Sequence, residues 1–247
     1  MGKICDSKLF VVCFHFIYML IFVHGINAHA DEWQPFIKYF SERNFSCKAV
    51  NLREGLNLRK TRFRDYVNKV KAMVTPEDIV IGHSMGGLIV QKIAEETTIR
   101  GGIAICPAPP RGIKLSGIRL SSSLRYLPNI IIKKPFKINF SFYIKYLLNG
   151  LGEKESREIY EDQVEESAIV HYEIAMNKIA VDESKVKCPL FFIATKDDRA
   201  CPPEMVGKIA EKYNADFKVY NGCHHIFANW QDIAEGIQNF MTKLWLM

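Results

Sequence analysis

Apolar positions follow two rhythms along the chain. Six short runs are almost continuously apolar or rich in strand formers: Tyr18 to Val23, Cys47 to Leu52, Asp78 to Gly82, Gly101 to Cys106, Cys188 to Ala194 and Asp216 to Tyr220. Runs of this kind predict strands buried on both faces, as in a parallel sheet. Between them the apolar residues recur at helical spacing. Trp33, Phe36, Ile37 and Phe40 predict a helix over about Asp31 to Arg43 with Asp31 as N-cap, and a second helix ends near Met73, where Thr75-Pro76-Glu77 breaks it. Further helices are predicted over Met85 to Glu96, Pro203 to Tyr213 and Gln231 to Leu246. Strands alternating with helices predict an α/β fold, a mostly parallel sheet flanked by helices on both faces.

The alternation fails between Arg111 and Lys187. From Arg111 to Gly150 there are eight Lys or Arg and no Asp or Glu, interleaved with Leu120, Leu124, Tyr126, Leu127, Ile130, Ile131, Ile132 and Phe136; the remainder turns acidic and helical. We therefore expect a core of residues 1–110 and 188–247 interrupted by an inserted helical lid at 111–187. The basic, aromatic-rich stretch has two readings: a solvated face whose apolar residues pack on the core, or a lid that lies on an anionic membrane surface.

At 247 residues the chain is long enough for one large domain, and 48% hydrophobic with 24% charged residues is an ordinary globular composition. The net charge of +6 favours an acidic ligand or membrane surface but is too weak to argue for nucleic acid. Seven cysteines with no CxxC spacing fit neither a zinc site nor a disulfide framework, although a Cys201–Cys223 bridge is conceivable. The apolar run Leu9 to Val23, with Lys3 and Lys8 before it and Ala28-His29-Ala30 after it, copies a secretion signal, whereas Tyr18 to Val23 is equally a buried strand ending in His24-Gly25. The run is short for a membrane-spanning helix.

Gly82-His83-Ser84-Met85-Gly86 matches G-x-S-x-G between a predicted strand and a predicted helix. The strained turn needs small residues at Gly82 and Gly86, because side chains there would strike neighbouring backbone, and it lifts the Ser84 hydroxyl to the sheet edge. A serine nucleophile needs a base, and the base needs a carboxylate to orient it. Asp197 and Asp198 follow one downstream strand, and His224 and His225 follow the next, so both pairs project from the carboxyl edge where open α/β sheets place ligands.

Through the His24-Gly25 turn, Gly82 to Gly87, Asp197-Asp198-Arg199 and Gly222-Cys223-His224-His225, the chain resembles the α/β-hydrolase superfamily, in particular its compact, lidded serine esterases and lipases. The resemblance implies an α/β-hydrolase fold and a Ser-His-Asp triad of Ser84, Asp198 and His225. Asp198 is favoured over Asp197 because the acid usually stands three residues after a small residue closing the strand, here Thr195. His225 falls at the end of the usual G-x-G-H motif, with His224 where glycine is common. The resemblance also implies an oxyanion hole of the Ile26 and Met85 backbone N–H groups, each such donor being typically worth ~3 kcal/mol. Cleavage after Ala30 would delete Ile26, so the resemblance favours an uncleaved, cytoplasmic protein over a secreted one, with peripheral association through residues 111–150 where the lid reading of that stretch holds. It implies hydrolysis of carboxylic esters of apolar acyl groups with no metal or organic cofactor, a small-molecule acyl ester as partner and no nucleic acid. Thioesterase, amidase or acyltransferase chemistry with the same triad, and a non-catalytic hydrolase-fold binding protein, are the alternatives. His83, His24, His29, His171 and Trp33 are expected to serve structure, and residues 1 to 17 are barely long enough for the antiparallel strand pair that full-size members carry.

Overall fold

The computed structural model of the chain describes residues 18–118 and 124–246. The antiparallel pair expected within residues 1 to 17, the apolar residues ahead of Tyr18, and Leu120 lie outside the described residues.

The first strand, β1 (Met19–Val23), is followed by a 3-10 turn at Ala30–Trp33 and helix α1 (Gln34–Ser41). Asp31 therefore lies inside the 3-10 turn rather than capping a helix, and Pro35 opens α1, where its missing N–H costs nothing. Strand β2 (Ser46–Val50) and helix α2 (Phe63–Lys71) come next, then β3 (Ile79–His83), α3 (Met85–Glu96) and β4 (Gly101–Ile105). The chain then leaves the sheet and forms α4 (Leu127–Ile131), α5 (Phe140–Tyr146), α6 (Glu153–Glu161) and α7 (Ala168–Ala175). It returns through β5 (Leu190–Thr195), α8 (Pro203–Tyr213), β6 (Asp216–Tyr220) and α9 (Trp230–Leu246).

The six strands form one sheet in the order β2-β1-β3-β4-β5-β6, with every neighbouring pair parallel. The central strands β3, β4 and β5 are buried at every residue, which is why their sequences run apolar without alternation. The edge strands β2 and β6 keep Lys48, Asp216 and Lys218 among exposed or half-buried positions. On one face Phe22 packs on Trp33 with ring centroids 5.0 Å apart, and Trp33 on Phe36 at 5.1 Å, all three fully buried. Burying side chains of this size contributes ~1.5–3 kcal/mol each.

The chain reverses its direction across the sheet between β1 and β3, since β1 leads outward to β2 and the chain then returns to the other side of β1. Crevices at such switch points, outside the carboxyl ends of the strands, are where open α/β sheets bind ligands. Here the two strands end in His24-Gly25-Ile26 and in Ser84.

The segment between β4 and β5 is tied back onto the core by polar anchors. The fully buried Glu166 carboxylate accepts from Arg53 Nη1 at 2.8 Å, from the Tyr66 hydroxyl and from the Ser167 N–H. Glu173 accepts from Arg62 and from the Phe63 N–H at 2.9 Å. Asn27, in left-handed backbone at φ 57°, donates through Nδ2 to the carbonyls of Phe136 and Val164, both at 2.9 Å, and its own carbonyl accepts the Val164 N–H.

Candidate active site

Ser84 stands between β3 and α3 at φ 54°, ψ −115°, a conformation costing of order 1–3 kcal/mol that surrounding structure must hold in place. It is held by the Ser84 N–H donating to the Ile105 carbonyl at 2.9 Å and by the Ala108 N–H donating to the Ser84 carbonyl at 3.0 Å. The two glycines of the motif are required by close approach. A Cβ on Gly82 would lie 2.2 Å from the Gly86 carbonyl oxygen, and one on Gly86 would lie 2.1 Å from the Val23 carbonyl oxygen. Gly25 belongs to the same contact, since a Cβ there would come within 3.2 Å of Ser84 Cβ.

That proximity brings the backbone after β1 against the serine. Among the described residues, neither the Ile26 nor the Met85 N–H has a protein acceptor. His24 fixes the turn: its Nδ1–H donates to the Gly25 carbonyl at 2.8 Å, and its Nε2 accepts from the Leu52 N–H at 3.2 Å. Burial, and after it the Arg53 charge, holds this ring neutral by lowering its pKa from 6.5 to about 3.

Asp198 follows β5 and is buried, whereas Asp197 beside it is exposed. One Asp198 oxygen accepts from the Ala200 and Cys201 N–H groups, both at 2.7 Å, and the other accepts from His224 Nδ1 at 2.7 Å. The carboxylate thus fixes His224 in the tautomer whose Nε2 carries a free lone pair.

The histidine paired with the acid is therefore not the one expected from the end motif. Gly222, at φ 119° with the Asn229 side chain against its α-carbon, turns the chain out of β6, and the Thr195 hydroxyl holds the Cys223 carbonyl at 2.8 Å. Residue 224 then faces Asp198. His225 follows in extended backbone at φ −76°, ψ 92°, where consecutive side chains point to opposite sides. Its ring packs on Phe227 at 5.3 Å, its N–H donates to the Leu147 carbonyl, and burial lowers its pKa to about 4. The expected triad of Ser84, Asp198 and His225 is replaced by a constellation of Ser84, Asp198 and His224. Two adjacent histidines were the only sequence signal for this choice.

His83 has a structural task. Its Nε2–H donates to the His224 carbonyl at 2.9 Å, and the two rings pack at 4.8 Å. Burial drives its pKa well below the usual histidine value, so it remains a neutral donor. His29 pairs with Asp162 at 2.7 Å, away from the serine.

Cys106 and Cys201 border the acid. Both thiols are free and raised well above the ordinary thiol pKa, chiefly by burial and next by the Asp198 charge. Cys223 is also free, so the conceivable Cys201–Cys223 bridge does not form. Cys106 Sγ, an Asp198 oxygen and a His224 ring nitrogen lie within 4.8 Å of one another, the one three-ligand group of metal-binding type among the described residues. The hydrogen bonds of Asp198 to His224 and of Cys106 to Thr195 already engage these atoms.

Ser84 and His224 line one and the same partly open cavity. Its remaining walls are almost entirely apolar, with Ile26, Tyr126, Ile130, Phe136, Phe142 and Ile174 prominent, and no Asp, Glu, Lys or Arg among the described residues lines it. Most of this wall comes from the segment between β4 and β5.

A model of the serine aminopeptidase S33 family matches residues 17–229, a span that contains the serine, the acid and both histidines. The chain belongs to this family. It is a hydrolase-family member with the α/β-hydrolase fold. Similar solved structures include a lipase-esterase related protein from Clostridium acetobutylicum, at 21% identity and TM-score 0.73, with 90% of this chain and 94% of that one covered. A methylesterase from Arabidopsis is 14% identical with TM-score 0.70 over 92% of this chain and 99% of the other. Tomato methylketone synthase I, solved with 2-tridecanone, is 14% identical with TM-score 0.68, covering 92% and 98%. No curated protein matches the sequence.

Proposed function

We propose that this protein is a serine hydrolase of carboxylic esters with apolar acyl groups, working through Ser84, His224 and Asp198. The observation that carries the reading is the 2.7 Å bond from His224 Nδ1 to Asp198 in the cavity that also exposes Ser84. His224 Nε2 takes the Ser84 proton as Oγ attacks the ester carbonyl. The Ile26 and Met85 N–H groups hold the resulting oxyanion. His224 returns the proton to the leaving alcohol, and a water activated by the same ring releases the acid from the acyl-enzyme. Asp198 orients the ring and stabilises its cationic form throughout.

The ester reading is preferred over cleavage of a peptide amino terminus because of the cavity wall. An amino-terminal residue brings an ammonium group, and burying it requires a carboxylate partner. Among the described residues no Asp or Glu lines the cavity. An uncharged acyl chain meets no such cost there. We further assign residues 111–187 the role of a lid over this chamber.

Fluorophosphonate labelling followed by intact-mass spectrometry tests the proposal. One adduct is expected on the wild type and on His225→Ala, and none on Ser84→Ala. His224→Ala is expected to lower hydrolysis of a medium-chain 4-nitrophenyl ester by on the order of a thousandfold or more, while His225→Ala retains most activity. Unlabelled folded wild type, or loss of activity in His225→Ala with His224→Ala spared, overturns this assignment. Faster turnover of aminoacyl anilides than of acyl esters overturns the choice of substrate.

A further inference from the structure

The short helical run from Leu124 to Ile131 has two apolar faces. Tyr126 and Ile130, four residues apart, point inward and line the cavity that holds Ser84. Leu124, Leu127 and Ile131, at i, i+3 and i+7, point outward, and Ile132 follows; they are 60, 47, 70 and 60% exposed. Four of the seven strongly exposed large apolar side chains of the described residues therefore fall within nine positions. Single exposed leucines need no explanation, but a cluster beside a cavity mouth does.

Cations surround the cluster. Arg125, Lys133, Lys134 and Lys137 are exposed, and none of them is ion-paired among the described residues. No Asp or Glu occurs from Arg111 to Gly150. Lys133 itself ends the helix in left-handed backbone at φ 52°, a position that normally selects glycine or asparagine. Its N–H donates to Ile130 and that of Lys134 to Asn129, so the helix end presents two adjacent ammonium groups directly after Ile131 and Ile132.

We infer that the outer face of α4, with Leu124, Leu127, Ile131 and Ile132 flanked by Arg125, Lys133 and Lys134, docks on an anionic lipid surface and sets the mouth of the cavity against it. Apolar side chains enter the acyl boundary while the ammonium and guanidinium groups stay at the phosphate level, an arrangement whose affinity combines buried apolar area with charge attraction. The same helix would then touch lipid on one side and wall the cavity on the other. A second copy of the chain is the less suitable occupant, because two such faces would bring like charges together. Docking is separate from the proposed chemistry, so either reading stands or falls alone.

The experiment is co-flotation of the full chain carrying Ser84→Ala, which leaves the lipid unhydrolysed. The vesicles are pure phosphatidylcholine or phosphatidylcholine with 30% phosphatidylserine, a composition about a third anionic. We expect flotation with the anionic vesicles, weakening as sodium chloride rises. Ile131→Glu with Ile132→Glu should lower the partition coefficient on the order of a hundredfold. Lys133→Gly removes one charge where the backbone already suits glycine, and should lower it about fivefold. Phe217→Glu, on the exposed face of the distant β6, should leave it unchanged. Hydrolysis of a soluble short-chain ester by the same substitutions in the Ser84 background reports that the chains are folded. Absence of flotation, or flotation that persists in the double variant and so resides elsewhere, for example in residues 9–17, overturns the inference. So does concentration-dependent self-association, seen by sedimentation equilibrium and abolished by the double variant, in the absence of vesicle binding.

Discussion

The segment between β4 and β5 is attached in two different ways on either side of Gly150. After it, buried carboxylates reach into the core: Glu166 meets Arg53 and Tyr66, Glu173 meets Arg62 and the Phe63 N–H, and the Ser167 hydroxyl donates to the Thr61 carbonyl at 2.7 Å. Before it, the described residues carry no carboxylate at all, and α4 meets its surroundings through apolar contact and a few backbone bonds while leaving its outer side to solvent. The Arg53–Glu166 anchor, desolvated at both ends, is specific and costly to break, and the Glu173 carboxylate is buried although its Arg62 partner is exposed, whereas apolar contact alone tolerates sliding. The contrast teaches that one half of the roof over Ser84 is built as a wall and the other as a surface.

The sharpest way to break the contrast is Glu166→Ala. It leaves the Arg53 guanidinium and the Tyr66 hydroxyl without their partner, and should cost about 3–5 kcal/mol in urea-monitored unfolding. Glu166→Gln, which keeps an acceptor, should cost clearly less. An equal loss from both would mean that shape rather than charge holds this half.

A second test uses pH. His171, on α7, stacks on Phe136 at 4.2 Å with Nε2 buried and unpaired, and burial lowers its pKa from 6.5 to about 3. The folded ring stays neutral while the unfolded one takes a proton below 6.5. The folded state therefore loses stability as pH falls from about 6.5 toward 3, by up to a few kcal/mol. Glu32, raised to about 7 chiefly by burial, has the opposite sign: stability is lost as pH rises from 4.5 toward 7. His171→Phe should flatten the acid slope and, at neutral pH, be neutral or stabilising by about 1 kcal/mol, since no unpaired nitrogen remains buried. A slope unchanged in this variant would assign acid sensitivity to His24 and the other buried rings.

The smallest effect is expected on the other half. Ile131→Ser with Ile132→Ser should change unfolding free energy by no more than about 0.5 kcal/mol per site, as for surface positions elsewhere. A loss near that of Glu166→Ala would mean that the face is packed in solution.

These differences also explain what the amino-acid order revealed. The strands were legible because β3, β4 and β5 have no solvent side, so their apolar runs admit no other reading. Ser84 was legible because Gly82 and Gly86 must be small whatever the rest of the chain does. Asp198 was legible from its distance to Thr195. His224 was not, because the choice between neighbours depends on one backbone turn at Gly222 and on a Thr195 hydroxyl 28 residues away. Glu166 and Glu173 were hidden for the same reason. In a run as acidic as Glu153 to Glu166, a solvated helix face is the natural reading, and nothing local marks the carboxylate whose arginine stands 113 residues earlier.

Asn27 limits how such a roof can move. Its single side chain ties Phe136 and Val164 together, and it follows directly on Ile26, whose N–H we assign to the oxyanion in the proposed reaction. Any displacement of the chain at or beyond Phe136 must pull on that amide and detune it, while the stretch ahead of Phe136 is free of this tether. Under the proposed chemistry, substrate entry and readiness for reaction would be mechanically partitioned at one asparagine: a gate hinged before Phe136 would open without disturbing the donor, and one hinged after it would disarm the site as it opened.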